Sequence, residues 1–394
     1  RARAARGEST FMGADENVYN QLDVNMETVF AGYDIKEVTD AKVIALVTND
    51  IVSQNASISS PNTDFFALVL VLYILIKWMT LTEEKETVVE AYVCLCLLCI
   101  FSVSLKLSAA MITLLILSPL IKLLRKKQWR DLCIYTVLGL LIILPFLIRN
   151  VIISGYLIYP YPELDIFNID WKMPEFTLLY DRNEIKSWAM QIKDGHRYRV
   201  PLDEWFPVWR ETLSRLQKLT LYSFPLLAIF SVAIAVRKMI KYKRADYLCV
   251  VATMIAIVLF WFFGAPALRF GGVFLFLLPC FVIGSLAEHW NGRIQTDSVP
   301  LVIMLVCIMF NINPLIVELT EGELEHRVWE CDYDEIECRE VYLDKEVFYL
   351  PVEGDQVGYW VFPSTPYDAR LELIELRGDS LWDGFKMKDD YKNA

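Results

Sequence analysis

The chain has 394 residues, 55% of them hydrophobic and 13% aromatic, a composition too apolar for an ordinary soluble domain. Its net charge of −11 is concentrated at one end: from Glu318 to Ala394 there are 21 acidic and 8 basic residues. An acidic tail, and the lack of any basic patch interleaved with aromatics, argue against nucleic acid as a partner.

In chain order, residues 1–61 form a hydrophilic segment, expected to be partly helical. Its opening RARAARGEST starts with Arg rather than Met and lacks the apolar core of a signal peptide. This start reads as trimmed, or as the downstream part of a longer protein. A hydrocarbon core of ~30 Å needs about 17–25 mostly apolar helical residues. Eight stretches qualify: 62–80, 87–104, 107–123, 131–150, 219–236, 247–263, 270–288 and 299–317. The second and third are parted only by SLKL around Lys106, expected to be a tight turn because the joined stretch is too long for one span.

Lysine and arginine in short loops set orientation. LRKKQWR carries Arg125, Lys126, Lys127 and Arg130, and RKMIKYKR carries Arg237, Lys238, Lys241, Lys243 and Arg244. Both loops are expected on the cytoplasmic side. The N-terminal segment, the turn at Lys106, the loop 155–218, the join at 264–269 and the tail then fall outside. The expected organisation is an extracytoplasmic segment 1–61, a transmembrane domain 62–317 with external loop 155–218, and an extracytoplasmic acidic tail 318–394. Within the loop, DEWFPVWRETLSRLQKL reads as an amphipathic helix whose Trp205 and Trp209 suit a membrane interface. The tail alternates short β-like runs (VYLD, VFYLPV, YWVF, LELIEL) with turns (EGDQ, PSTP, RGDS). The fold class expected is an all-α polytopic membrane protein of about eight transmembrane helices, with a small β-rich C-terminal appendage.

Seven of the nine cysteines lie in apolar stretches, where they act as small hydrophobes. Cys331 and Cys338 in CDYDEIEC could pair in an oxidising compartment or stay free, and the spacing does not decide. The three histidines and nine cysteines show no zinc spacing. The one D-x-D, Asp332 and Asp334, lies in an acidic run and reads as solvated surface. No cofactor is expected, and a divalent metal stays open without a clear motif to support it.

The informative residues are ionisable groups at external span ends: Asp64 in SSPNTDFF, Lys106 in SLKLSAA, Arg149 in FLIRNVIISG, Asp165 and Asp170 in YPELDIFNIDW, and Arg269 in GAPALRFGG. Each has a bland reading. Lys106 and Arg149 can snorkel to the interface. Asp64 can cap a helix, Asp165 and Asp170 can be loop acids, and His196 in DGHRYR can be a solvated loop residue. Arg269, in a short join between two membrane-grade stretches, is the hardest to dismiss. Three cations at one membrane face suit the phosphate or pyrophosphate of a long-chain lipid, whose head is bound at the boundary while its chain stays in the bilayer.

These motifs, in this order, resemble a set of uncharacterised bacterial multi-spanning proteins related to the GT-C glycosyltransferases. That superfamily includes the protein O-mannosyltransferases and the aminoarabinose transferase of lipid A. RNVIISGYLIYPYPELDIFNIDWKMP after a span and the closing ELRGDSLWDGFK extend the resemblance over most of residues 58–385. It implies a bacterial inner-membrane protein that takes a sugar from a polyprenyl-phosphate donor at the extracytoplasmic face. The acceptor would be a saccharide, lipid or protein. By position in the motifs, Lys106, Arg149 and Arg269 would hold the lipid phosphate. The family's usual catalytic carboxylate lies after its first span, a region without a counterpart here. Either that carboxylate is missing, or Asp64 or Asp170, the candidate catalytic residues left in place, takes its role; the resemblance itself does not carry the base over to either.

Other classes stay open on the same residues. A polymerase or ligase of polyprenyl-linked saccharides shares the many spans and external arginines, and HRYR around His196 favours it slightly. A transporter would call for interrupted spans and an internal repeat, neither of which is seen. An inactive scaffold would keep the spans and lose the chemistry.

Overall fold

A computed structural model describes residues 64–83, 88–192, 200–290, 336–354, 357 and 361–391. The segment 1–61, the eighth expected span 299–317, His196, Cys331, Asp332 and Asp334 lie outside these residues. The described chain is mostly helical and divides into two compact units. One holds Phe146–Glu184 and the tail, and the other holds the remaining helices.

In chain order, α1 (Asp64–Glu83) is followed by α2 (Glu90–Leu105), a 3-10 segment Leu107–Ile116 running into α3 (Leu117–Arg125), and α4 (Trp129–Ser154), which passes from the larger unit into the other at Phe146. After α5 (Glu175–Ala189) and α6 (Leu202–Glu211) come α7 (Arg215–Tyr242) and α8 (Asp246–Gly264). A four-residue turn, α9 (Leu268–Gly271), leads through a 3-10 stretch Gly272–Phe276 into α10 (Leu277–Trp290).

Among the described residues, six helical segments are long and apolar enough to cross a membrane: Phe66–Glu83, Leu107–Arg125, Trp129–Ser154, Arg215–Tyr242, Asp246–Gly264 and Leu268–Leu286. They correspond to six of the eight expected stretches. The expected span 87–104 is the shorter helix Glu90–Leu105. Lys106 alone is extended (φ −158°, ψ 127°), and Val93 and Ile100 of α2 line the same groove as Leu123 and Ile116. The chain therefore reverses at Lys106, as a hairpin requires.

The interior is built by α1, the 3-10 segment, α8 and Val273–Phe281, with Ile74, Leu75, Trp78, Ile112, Leu115, Met254, Phe274 and Phe281 fully enclosed. Only 6% of the α4 window is buried, which leaves Ile134, Val137, Leu140, Leu141 and Leu144 uncovered. Such an apolar face is unfavourable in water and costs nothing in hydrocarbon. The helices are compatible with an integral membrane protein.

The expected amphipathic helix through SRLQKL is corrected: α6 stops at Glu211, and Ser214 opens α7. Ser214 Oγ accepts from the Gln217 N–H at 3.2 Å, and Gln217 Oε1 accepts from the Ser214 N–H at 2.8 Å. This reciprocal box satisfies two free donors at a helix start. Trp205 and Trp209, expected at an interface, are buried.

In the other unit, α4 ends because Gly155 adopts φ +84°, where a Cβ would lie 2.8 Å from Lys172 Cα. The tail contains β1 (Cys338–Leu343) and β2 (Glu346–Pro351), paired antiparallel from Cys338↔Pro351 to Leu343↔Glu346. A short helix α11 (Asp368–Leu371) precedes β3 (Ile374–Leu376), which pairs with β4 (Phe385–Met387). Leu343, Phe348, Leu350, Leu371 and Leu376 form its small core. VYLD and VFYLPV thus supply strands, and LELIEL does so only in its last three residues. In YWVF, Val361 and Phe362 form a bend rather than a strand, and its first two residues are outside the described set.

Candidate functional site

Asp64, Lys106 and Arg269, far apart in sequence, meet in the larger unit. Asp64 occupies the first turn of α1. Lys106 sits at the reversal between α2 and the 3-10 segment, its N–H donating to Ser102 O and its carbonyl accepting from Ala109, both at 3.0 Å. Lys106 Nζ donates to Asp64 Oδ1, and Arg269 Nε lies 3.9 Å from Asp64 Oδ2. The Lys106 ammonium also stands 3.8 Å above the Phe270 ring, a favourable place for a desolvated cation.

The three side chains differ in exposure: 10% for Asp64, 18% for Lys106 and 54% for Arg269. The ammonium and carboxylate form an enclosed pair, whereas the guanidinium is only loosely engaged and open. Among these three groups one carboxylate faces two cations, an arrangement with positive charge to spare at a helix end.

Two tryptophans fix the loop that delivers Arg269. Trp209 Nε1 donates to Pro266 O at 2.6 Å, and Trp261 Nε1 donates to Ala267 O at 2.8 Å. Trp209 packs in turn against Trp205, Phe262 and Trp261, with ring centroids 5.6–6.0 Å apart. Gly271 completes the seat. Its φ of 178° is ordinary extended backbone, but a Cβ there would fall 2.7 Å from Trp261 Cδ1. The glycine is thus required by the close approach of a ring. Sequence reasoning did not single out Trp209 and Trp261 as positioning residues. Their spacing, 57 and 6 residues from the carbonyls they hold, carries no local signal.

Arg149, Asp165 and Asp170 belong to the other unit. The Arg149 side chain is exposed. Asp165 pairs with Lys172. Asp170 takes two bonds from Arg377, at 2.6 and 3.2 Å, and its carbonyl accepts from the Met387 N–H at 2.8 Å. Its carboxylate anchors the tail beside β4. Asp181, buried, accepts from Arg370 at 2.7 Å and from the Tyr159 hydroxyl. Burial, then the Asp181 carboxylate, push the Tyr159 hydroxyl well above the ordinary tyrosine range. A hydrogen bond from Arg182 holds Glu163 below the ordinary carboxylate range. A cavity of about 490 Å³, lined by Trp171, Thr177, Arg370, Arg377 and Lys386 among others, lies in this unit.

A second buried ionic cluster was not foreseen. Asp246, 1% exposed, receives two bonds from Lys122, both at 2.9 Å. It also accepts from Ser118 and, at 3.3 Å, from Arg244. Arg244 reaches the Tyr92 hydroxyl at 2.8 Å. This network joins α2, α3 and α8 beside the two basic loops. Among the described residues no group of three or more His, Cys, Asp and Glu side chains could hold a metal ion.

A protein-family model matches residues 16–276, and its family is described only as a domain of unknown function (DUF8201). The match takes in part of the hydrophilic N-terminal segment and everything through Phe276. No solved structure matches the chain.

Proposed function

We propose that this chain, which belongs to the DUF8201 family, is an integral membrane protein that binds a lipid-linked phosphate through Lys106 and Arg269 and transfers the sugar it carries. The observation behind this reading is the meeting of Asp64, Lys106 and Arg269, with one carboxylate against two cations and the arginine left open. Arginine offers a planar fork to phosphate oxygens, and lysine a compact charge.

In the reaction, an acceptor hydroxyl oxygen bonds to the anomeric carbon as the bond from that carbon to the phosphate oxygen breaks. The phosphate leaves with the electron pair, and the two cations stabilise its growing charge. The hydroxyl proton passes to a base. Asp64, already held between Lys106 and Arg269, acts in this reading by positioning the cations. Trp209 and Trp261 act one step further out, by holding the loop before Arg269. The transferase class rests on the GT-C resemblance, and the phosphate site rests on the charged cluster.

The test is thermal unfolding of the purified protein with polyprenyl phosphates of several chain lengths. Stabilisation of the wild type, lost in Arg269→Ala and Lys106→Ala, is expected, and Arg149→Ala reports whether that cation shares the ligand. Stabilisation that survives both changes, or none in a folded sample, would overturn the phosphate site. Stabilisation without transfer from any lipid-linked sugar would leave a binding protein and remove the transferase.

A further inference from the structure

The structure assigns a second lipid site, independent of the sugar-transfer reading: the groove between α2, α3 and α4 binds an anionic phospholipid whose headgroup is held by the loop joining α3 to α4. The groove has a volume of about 330 Å³. Val93 and Ile100 of α2, Leu120 and Leu123 of the second wall, and Leu140 and Ile143 of α4 line it. Of its few polar atoms, the Thr136 hydroxyl is spent on Leu132 O within the helix at 2.8 Å. Gly139 forms the narrowest point, where a Cβ would lie 2.7 Å from Ile100 Cδ1. A groove this apolar, walled by the shorter apolar helix α2 and by two segments of spanning length, suits a hydrocarbon chain.

Charge argues for the headgroup. The walls α3 and α4 are joined by Lys126, Lys127 and Gln128, flanked by Arg125 and Arg130. All four cations are exposed, and none takes part in an ion pair among the described residues. Their loop is closed by two backbone hydrogen bonds. Lys127 N–H donates to Leu124 O and Gln128 N–H to Leu123 O, both at 3.1 Å, the bonding of a Schellman turn. Lys127 holds its left-handed position, at φ 55°, where glycine would fit without cost. A lysine kept at a glycine position places a charge where the backbone disfavours a side chain. Trp129, 59% exposed at the start of α4, suits the level of the headgroups. Cations at such a surface each contribute to binding anionic lipid.

The turn supplies the decisive variant. Lys127→Gly removes one charge while relieving the backbone, so a purely structural lysine predicts a protein that is more stable and unchanged toward lipid. The experiment measures thermal stabilisation and lipid retention in native mass spectrometry. It uses phosphatidylglycerol and phosphatidylcholine with the same acyl chains, added to purified protein. The wild type is expected to prefer phosphatidylglycerol. Lys127→Gly should weaken that preference about 5-fold, and Lys126→Gln with Lys127→Gly about 30-fold, the equivalent of about 1 kcal/mol per cation. Arg125, Arg130 and the second basic loop remain, so orientation is kept. Leu120→Trp, or Val93→Phe if the first fails to fold, fills the groove and should weaken both lipids alike. Equal retention of the two lipids by the wild type overturns the proposal, as does a preference that survives both lysine changes. A preference lost with the lysines but indifferent to both groove variants leaves a charged surface and overturns the chain-binding groove.

Discussion

The Trp209 indole N–H donates to the Pro266 carbonyl at 2.6 Å, across 57 residues of sequence. With Trp261 on the next carbonyl, it turns a proline-containing join into a fixed arm for Arg269. Trp209→Phe keeps most of the ring packing and leaves a buried acceptor unpaired, at a cost of about 1–3 kcal/mol. Unfolding in detergent should show that loss. If the arm positions Arg269, phosphate binding weakens too, although no charge has been removed.

Asp64 and Lys106 are both largely enclosed, so removing one partner leaves a poorly solvated charge. Asp64→Asn is expected to destabilise by about 3–5 kcal/mol, and Asp64→Asn with Lys106→Met should recover part of that. A double-mutant cycle on unfolding midpoints checks this. A double variant no more stable than Asp64→Asn would mean the two groups are not coupled.

The Asp246 cluster is a stability element by the same reasoning. Asp246→Asn strands Lys122 and Arg244 and is expected to cost about 3–5 kcal/mol. Lys122→Met should cost less, because Arg244 and Ser118 remain on the carboxylate. Chemical unfolding of the two variants orders them, and the reverse order would sink the account.

Tyr159 provides a pH signature in the smaller unit. Its folded-state pKa is raised, chiefly by burial and then by Asp181. The folded state therefore holds the proton where the unfolded chain releases it. Its contribution is complete below the ordinary tyrosine pKa and is lost as pH rises from there through the higher folded value. Asp181→Asn removes the charge and leaves only a neutral amide oxygen as acceptor. An ultraviolet titration should then show Tyr159 ionising at lower pH, and an unchanged curve would assign the shift to burial alone.

Gly155 carries a backbone test. At φ +84° and beside Lys172 Cα, Gly155→Ala meets both strain and a clash, and about 1–3 kcal/mol of destabilisation is expected. Proteolysis of the tail-bearing unit should quicken in that variant.

Runs of apolar residues long enough for a bilayer can be read without any tertiary information, and six of the expected stretches are helices long and apolar enough to cross one. Turn chemistry was as legible: a single extended residue at Lys106 breaks what would otherwise be one overlong helix. The amphipathic pattern of 203–219 misled, because Ser214 and Gln217 form a helix start inside it, and the burial of Trp205 and Trp209 depends on partners elsewhere in the chain. Small strands in the tail were half legible, since three-residue strands such as Phe385–Met387 have too few positions to show alternation.

The sequence by itself determined the helices, their apolar surfaces and the list of costly charges at their ends, because hydrophobicity and the period of a helix are local properties. Only the tertiary structure decided which charges meet. Asp64 joins Lys106 and Arg269, Asp170 is drawn to Arg377, and Asp246 gathers Lys122 and Arg244. Pairing between charges depends on distances of a few ångströms between remote segments, and nothing in their spacing along the chain encodes those distances.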